Sequence, residues 1–144
     1  MTVYTIGYEG RTIMSFIEAL SNNGIQRIID VREIPISRKA GFSKSLLSHY
    51  LESVGIDYIH IKGLGSPKPI RDRLHQTNNY PEFFNAYRDY IGGHFEYIQE
   101  AWELAEDKKT CLMCFEKKPQ ECHRSVVADY MLQVMPDVEG VVNL

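Results

Sequence analysis

The most informative segment for the fold is residues 110–124, TCLMCFEKKPQECHR. A short apolar run ends in Cys114 and Glu116, and a helix pattern opens at residues 122–124. An apolar run of this length that leads into a helix predicts one strand-to-helix unit of a parallel α/β sheet. The reactive side chains of the segment therefore lie where a strand ends or a helix begins, which is where open α/β sheets bind ligands.

The same alternation continues along the rest of the chain. Strand patterns occupy residues 3–7, 25–31, 57–61 and 110–115, and VEGVVNL supplies a terminal strand. Helix patterns occupy residues 12–22, 43–54, 81 to about 106, and 125–134, with a break expected near Gly92 and Gly93. A long loop holding Gly63, Gly65, Pro67 and Pro69 is expected before the third helix. The order predicts a single α/β domain over residues 1–144, with a mostly parallel open sheet and helices on both faces, in a Rossmann-like three-layer arrangement.

Composition indicates a cytoplasmic protein. The 144 residues are 44% hydrophobic and 24% charged, which is ordinary for a globular domain. No apolar stretch approaches the ~20 residues of a membrane span, so we expect no membrane association. The first residues, MTVYTIGYEG, lack the pattern of a signal peptide, and three cysteines are an odd number for a disulfide framework.

The net charge of −3 does not favour nucleic acid as a partner, although it leaves that partner possible. The middle third of the chain is nevertheless locally basic, which suits a small anionic ligand such as a nucleotide. Ordinary solvated loops are the alternative explanation. The basic residues of this stretch are Arg32, Arg38, Lys39, Lys44, Lys62, Lys68, Arg71 and Arg73.

Polar residues follow four of the predicted strands. Because the carboxyl ends of parallel strands share one edge of a sheet, we expect these residues to converge on one ligand site. They are Tyr8, Glu9, Asp30, Arg32, Glu33, Lys62, Gly65, Cys114 and Glu116.

Three blocks of the chain carry a family resemblance: TIGYEGRT, then IIDVREIPISRKAGFSKSLLSHYLESVGIDYIHIKGLGSP, then CLMCFEKKPQECHR. These blocks resemble those of domain-of-unknown-function family 488. The resemblance implies an α/β protein with a site at the strand ends, and it implies no particular activity. Many members carry Gly-His-Ser where this chain has Gly7, Tyr8 and Glu9, so no role for a His or Ser is carried over. The motif positions of the family map to Asp30, Arg32, Ser37, Arg38, Leu64, Gly65, Cys114, Glu116, Cys122, His123 and Arg124.

Cys122 is a candidate nucleophile. At the start of the last helix, free N–H groups, the helix dipole and the neighbouring His123 and Arg124 favour its thiolate. The alternative is a small buried cysteine beside a helix cap. Arg124 follows Cys122 by two residues only, a spacing that excludes a phosphatase-type loop.

Arg124 is a candidate anion ligand, because a guanidinium at a helix start can bind phosphate or carboxylate with two hydrogen bonds. Arg32 and Arg38 could share the same anion. The alternative is internal ion pairing with Asp30 or with a neighbouring glutamate.

A zinc site is a further alternative, because Cys111, Cys114, Cys122 and His123 are suitable ligand types. Strand geometry argues against it, since the side chains of Cys111 and Cys114 should point to opposite faces. We therefore predict no metal site. Cys111 is expected to lie in the core.

Glu9 and Glu116 are candidate acid or base groups, whereas Asp30 is suited to a structural or ligand-binding role. Tyr8 could stack on a base. The GxGxxG dinucleotide pattern is absent, and no cofactor is indicated.

Two hypotheses follow from the sequence. The favoured one is an enzyme, a hydrolase or transferase that acts on a small phosphorylated or nucleotide-like ligand. The other is a non-catalytic module that binds or senses a nucleotide or nucleic acid. The loop of residues 37–44 is either a lid over the site or a surface connection.

Overall fold

The structure is a computed structural model that describes residues 1–144. Five strands and six α-helices alternate along the chain, except that three consecutive helices lie between the third and fourth strands. The strands are β1 (Thr2–Gly7), β2 (Arg27–Asp30), β3 (Asp57–His60), β4 (Thr110–Cys114) and β5 (Gly140–Asn143). The helices are α1 (Ile13–Asn22), α2 (Lys44–Ser53), α3 (Lys68–Thr77), α4 (Tyr80–Gly92), α5 (Phe95–Asp107) and α6 (Arg124–Val134). Short 3₁₀ turns cover Lys62–Leu64 and Pro119–Glu121.

The strands form one sheet in the order β3-β2-β4-β1-β5, and every neighbouring pair is parallel. In the register of the pairs, Gly7 lies opposite Cys114 and Asp30 opposite Met113. The carboxyl ends of β1, β2 and β4 therefore meet at one edge. The predicted mostly parallel α/β sheet is confirmed.

Each face of the sheet carries its own apolar core, as the three-layer prediction requires. On one face α1 and α2 bury side chains such as Phe16 and Leu47. On the other, α4, α5 and α6 bury side chains such as Tyr87, Ile98 and Val127. The chain leaves β4 toward the second face, whereas it leaves the neighbouring strands β1 and β2 toward the first. A crevice opens at such a divergence.

Local sequence explains where α1 and α6 lie. Thr12 and Ser15 form a reciprocal capping box at the start of α1, which satisfies free N–H groups there. Helix α6 buries apolar side chains, including Val126 and Met131, together with the polar side chain of Arg124. No helix in the structure is long and apolar enough to cross a membrane.

Helix α3 corrects one sequence expectation, because it occupies much of the predicted long loop. Pro67 and Pro69 indicate a loop in the sequence, but Pro69 lies in the first turn of α3. A proline is tolerated there because its missing N–H would have no helical partner. The predicted break after residue 92 is confirmed, since α4 ends at Gly92 and α5 begins at Phe95.

Candidate functional site

A crevice of about 220 Å³ lies at the carboxyl ends of β1, β2 and β4. We call it the strand-end crevice. It brings together six residues predicted from the sequence: Tyr8, Arg32, Glu33, Cys114, Glu116 and His123. A cavity of about 240 Å³ between α3 and α4 has only Arg73 and Glu82 as charged lining residues, and they pair with each other. The groups able to perform chemistry are therefore in the strand-end crevice.

Three side chains meet behind this crevice, and we call them the thiol cluster: Cys114, Cys122 and His123. Cys114 ends β4, and the other two immediately precede α6. One ligand atom from each residue, the two sulfurs and a ring nitrogen, lies within 4.8 Å of the others, and all three residues are buried. Cys114 and His123 line the crevice, whereas Cys122 does not and is only 1% exposed.

His123 is fixed in place by the backbone of β2. Its Nε2 lies 2.7 Å from the carbonyl oxygen of Val31, so Nε2–H donates to that carbonyl. The ring also packs edge-on against Tyr87, at 5.1 Å between centroids. Its Nδ1 faces the thiols, 4.0 Å from the Cys114 sulfur.

The pKa values of the two cysteines in the thiol cluster are shifted in opposite directions. Burial opposes ionisation of Cys122, but hydrogen bonds from Cys114 and His123 and the charges of His123 and Arg124 lower the pKa of Cys122 well below its usual value. The hydrogen bond to Cys122, together with burial, raises the pKa of Cys114. This direction agrees with the thiolate proposed for Cys122 from the sequence.

Glu116 lies two residues after β4 and lines the crevice. Its Oε2 is buried and has no hydrogen-bond partner. Burial, and then the negative charge of Cys122, raise the pKa of Glu116 to about 7. Gly7 allows the loop after β4 to approach β1 closely, because a Cβ at this position would lie 1.8 Å from the Glu116 carbonyl oxygen.

Arg124 does not face the crevice. Its side chain is fully buried, and Nε donates to Thr5 Oγ1 at 3.2 Å. The two other guanidinium nitrogens donate to the carbonyl oxygens of Glu116 and Lys117, at 2.5 and 3.3 Å. These contacts correct the predicted anion-binding role, because the guanidinium is committed to holding the loop after β4.

Arg32 reaches the crevice, but Asp30 occupies most of its donors. The fully buried Asp30 carboxylate accepts from Arg32 Nε at 2.9 Å and from Nη2 at 2.7 Å. The remaining nitrogen donates to the Phe42 carbonyl at 2.8 Å and to the Tyr8 hydroxyl at 3.2 Å. Arg32 therefore forms an internal ion pair with Asp30, which was the alternative to anion binding in the sequence analysis. Asp30 is correspondingly a structural residue.

Tyr8 is packed rather than free to stack on a base. Its ring is stacked on Phe42 at 4.5 Å between centroids, and Phe115 meets it edge-on. Phe42 is fully buried, and the Ser43 hydroxyl bridges the Ser37 backbone by accepting from its N–H and donating to its carbonyl. These contacts favour a fixed surface connection for residues 37–44 over a lid.

Three other predicted residues do not line the crevice. Glu9 lines a separate pocket, where its Oε1 accepts from the Lys117 backbone N–H at 2.9 Å. Arg38 is exposed and makes no side-chain hydrogen bond or ion pair. Gly65 allows its backbone to lie close to that of Glu33, because a Cβ at this position would lie 2.2 Å from the Glu33 backbone nitrogen.

The two cysteines of β4 lie on opposite faces of the sheet, as predicted, but Cys114 still lies near two other candidate zinc ligands. Cys111 lies in the core on the α1 and α2 face, whereas Cys114 lies in the core on the opposite face. A site that uses both is therefore excluded, as expected. The other three members of the four-residue set do converge, and these are the residues that could hold a metal ion.

Sequence reasoning missed several residues that line the crevice. Most of them come from α3, from α4 and from the turn before α3, and Phe115 directly follows β4. The helical spacing of Arg71 and His75, four residues apart, would have placed both on one helix face had α3 been predicted. The missed lining residues that matter below are Ser66, Arg71, His75, Phe83 and Phe115.

Comparison with known proteins gives one match. The sequence model of the family described as domain of unknown function DUF488 matches residues 12–131, which include α1 through most of α6. No curated protein and no solved structure shows a significant match. The matched range contains the thiol cluster, Glu116 and the residues of α3 that line the crevice, and on this match the chain belongs to the domain of unknown function DUF488 family.

Proposed function

We propose that the protein is an enzyme, a hydrolase or transferase that acts on a small phosphorylated or nucleotide-like ligand in the strand-end crevice. The observation that carries the proposal is the Glu116 carboxylate, whose Oε2 is buried without a partner beside Cys114 and His123. An unpaired buried acceptor is unfavourable, and native proteins retain few of them. A substrate proton or hydroxyl group at this oxygen would relieve the deficit.

Glu116 acts as the general acid or base. The crevice restricts water around it, and the raised pKa agrees with a group that gives and takes a proton near neutral pH. His123 and Cys114 lie on the same wall of the crevice and complete its reactive side.

The anion of the ligand binds at Arg71 and His75, at the α3 side of the crevice. One terminal nitrogen of Arg71 donates to Glu33 Oε1 at 2.8 Å and to the Ser66 carbonyl, so its other donors are free for a ligand. Arg32 and Arg124, by contrast, have their donors occupied. The half-exposed ring of Phe115 offers a surface for a planar group such as a base.

Glu116→Gln tests the enzymatic role. With phosphomonoesters and nucleotides as a substrate panel, we expect the variant to lose activity about 10²-fold or more, because a glutamine cannot transfer the proton. Glu9→Gln is the matched control: it changes an acidic residue at a neighbouring strand end that lines another pocket, and it keeps an oxygen for Lys117. A cooperative unfolding transition in urea, measured for each variant, checks that both variants are folded.

Equal activity of wild type and Glu116→Gln on a turned-over substrate would contradict the role of Glu116. If no substrate is turned over while a ligand stabilises both proteins equally, the non-catalytic binding module is the correct function.

Arg71→Ala tests the anion position. A ligand present at 100 times its dissociation constant adds about 2.7 kcal/mol to stability, which thermal unfolding detects. We expect inorganic phosphate or a nucleoside monophosphate to raise the wild-type melting temperature and to leave that of Arg71→Ala unchanged. Arg73→Ala on the same helix is the control, because Arg73 pairs with Glu82 outside the crevice. The same ligand-induced shift in both variants would place the anion elsewhere.

A further inference from the structure

We propose that the thiol cluster, Cys114, Cys122 and His123, is a zinc site. Two cysteine sulfurs and one imidazole nitrogen are a ligand set that zinc prefers, and three protein ligands with an open fourth position are typical of catalytic zinc. The three ligand atoms lie within 4.8 Å of one another. All three residues are at most 5% exposed, so bulk water does not compete for them.

One sulfur–nitrogen distance in the cluster is close to the distance between two ligands of one zinc ion. At ordinary zinc–sulfur and zinc–nitrogen bond lengths, a tetrahedral ion holds its sulfur and nitrogen ligands about 3.6 Å apart. The Cys114 sulfur lies 4.0 Å from His123 Nδ1. Small side-chain rotations would close this gap without any change in the backbone of β4 or α6.

His123 is oriented as a metal ligand requires. Its Nε2–H donates to the Val31 carbonyl, so Nδ1 is the nitrogen that faces the sulfurs and would bind the metal after zinc displaces its proton. Metal-binding histidines commonly have such a backbone acceptor on their second nitrogen.

The open position of the ion would face the strand-end crevice, because Cys114 and His123 line it and Cys122 lies behind them. Glu116 lies on the same wall, with its Oε2 unpartnered. This part of the inference rests on the proposed function and narrows it to hydrolysis. A bound zinc ion would supply a hydroxide from a coordinated water, and this hydroxide would form a bond to the electrophilic atom of the substrate. Glu116 would take the proton that the water loses and pass it to the leaving group as the bond to that group breaks.

The test measures zinc in the full-length protein. We expect one equivalent by elemental analysis after purification, or after metal-free protein is titrated with zinc against a chromogenic chelator. Cys122→Ala should lower the zinc affinity at least about 100-fold, because a ligand is lost. Cys111→Ala is the matched control and should bind zinc like the wild type, since Cys111 lies on the opposite face of the sheet. Cobalt in the wild type should give the near-ultraviolet absorption of thiolate ligands, and this readout needs no variant to fold.

The zinc measurements test the metal site independently of the proposed enzymatic activity. Absence of zinc and of the cobalt–thiolate absorption in the wild type would overturn the zinc site, even if activity depends on Glu116. Equal zinc affinity in wild type and Cys122→Ala would also overturn it. Zinc retained in Glu116→Gln and lost in Cys122→Ala would support the site, whether or not hydrolysis is found. A zinc site without Glu116-dependent activity would leave the proposed function as the part that failed.

Discussion

Replacement of Asp30 by alanine is expected to lower the free energy of unfolding by about 3 to 5 kcal/mol, because it leaves a buried guanidinium without its counter-ion. Asp30 is fully buried and Arg32 is 6% exposed. The carboxylate accepts from two nitrogens of the Arg32 side chain, from the Arg32 backbone N–H and from the Tyr58 hydroxyl. Urea unfolding followed by circular dichroism measures the loss.

Two further variants make the Asp30 result specific. Asp30→Asn keeps the shape of the side chain and some of its acceptors. Its free energy of unfolding should therefore lie between those of the wild type and Asp30→Ala. Asp57→Ala removes a partly exposed carboxylate that pairs with Arg27 and Lys108, and it should change stability by about 1 kcal/mol or less. Equal losses for Asp30→Ala and Asp57→Ala would show that burial of the first pair has no energetic consequence.

Arg124→Met is expected to destabilise the protein by about 3 kcal/mol or more, because hydrogen bonds to a charged group contribute about 1.5 to 3 kcal/mol each. Methionine nearly fills the space but donates to none of the three oxygens that Arg124 holds. The loop that carries Glu116 would lose its anchor at the same time. Urea unfolding measures the stability, and proteolysis of residues 116–118 reports the loosened loop.

Arg38→Met is the matched control for this variant. Arg38 is exposed and has no hydrogen-bond or ion-pair partner, so its loss should leave the unfolding midpoint unchanged. Arg124→Lys keeps the charge but cannot span three acceptors, and it should recover only part of the stability. A stable Arg124→Met protein that no longer binds phosphate would restore Arg124 as an anion ligand.

Local pattern was sufficient for most of the fold. The apolar run at residues 110–115 and the helix patterns at residues 12–22 and 125–134 correspond to β4, α1 and α6. Periodicity reports which residues are buried on one element, so it locates strands and helices directly. It failed at α3, where prolines at the helix start have the same appearance as prolines in a loop.

The candidate site was predictable in position but not in detail. The end of a strand located Cys114 and Glu116, and the start of the last helix located His123, because both lie at the edge of the sheet where parallel strands end. Whether an arginine at that edge faces a ligand or the protein interior depends on partners far away in sequence. Arg124 contacts Thr5 across 119 positions, and His123 contacts Val31 across 92.

Short-range burial patterns predict the alternation of strands and helices, and with it the edge of the sheet where reactive side chains gather. How these side chains are used depends on the folded structure. It turned Arg124 inward, paired Arg32 with Asp30, separated Glu9 from Glu116, and brought three of four candidate zinc ligands together. The physical reason is that hydrogen bonds, ion pairs and desolvation depend on distances between atoms that only the packed sheet brings together.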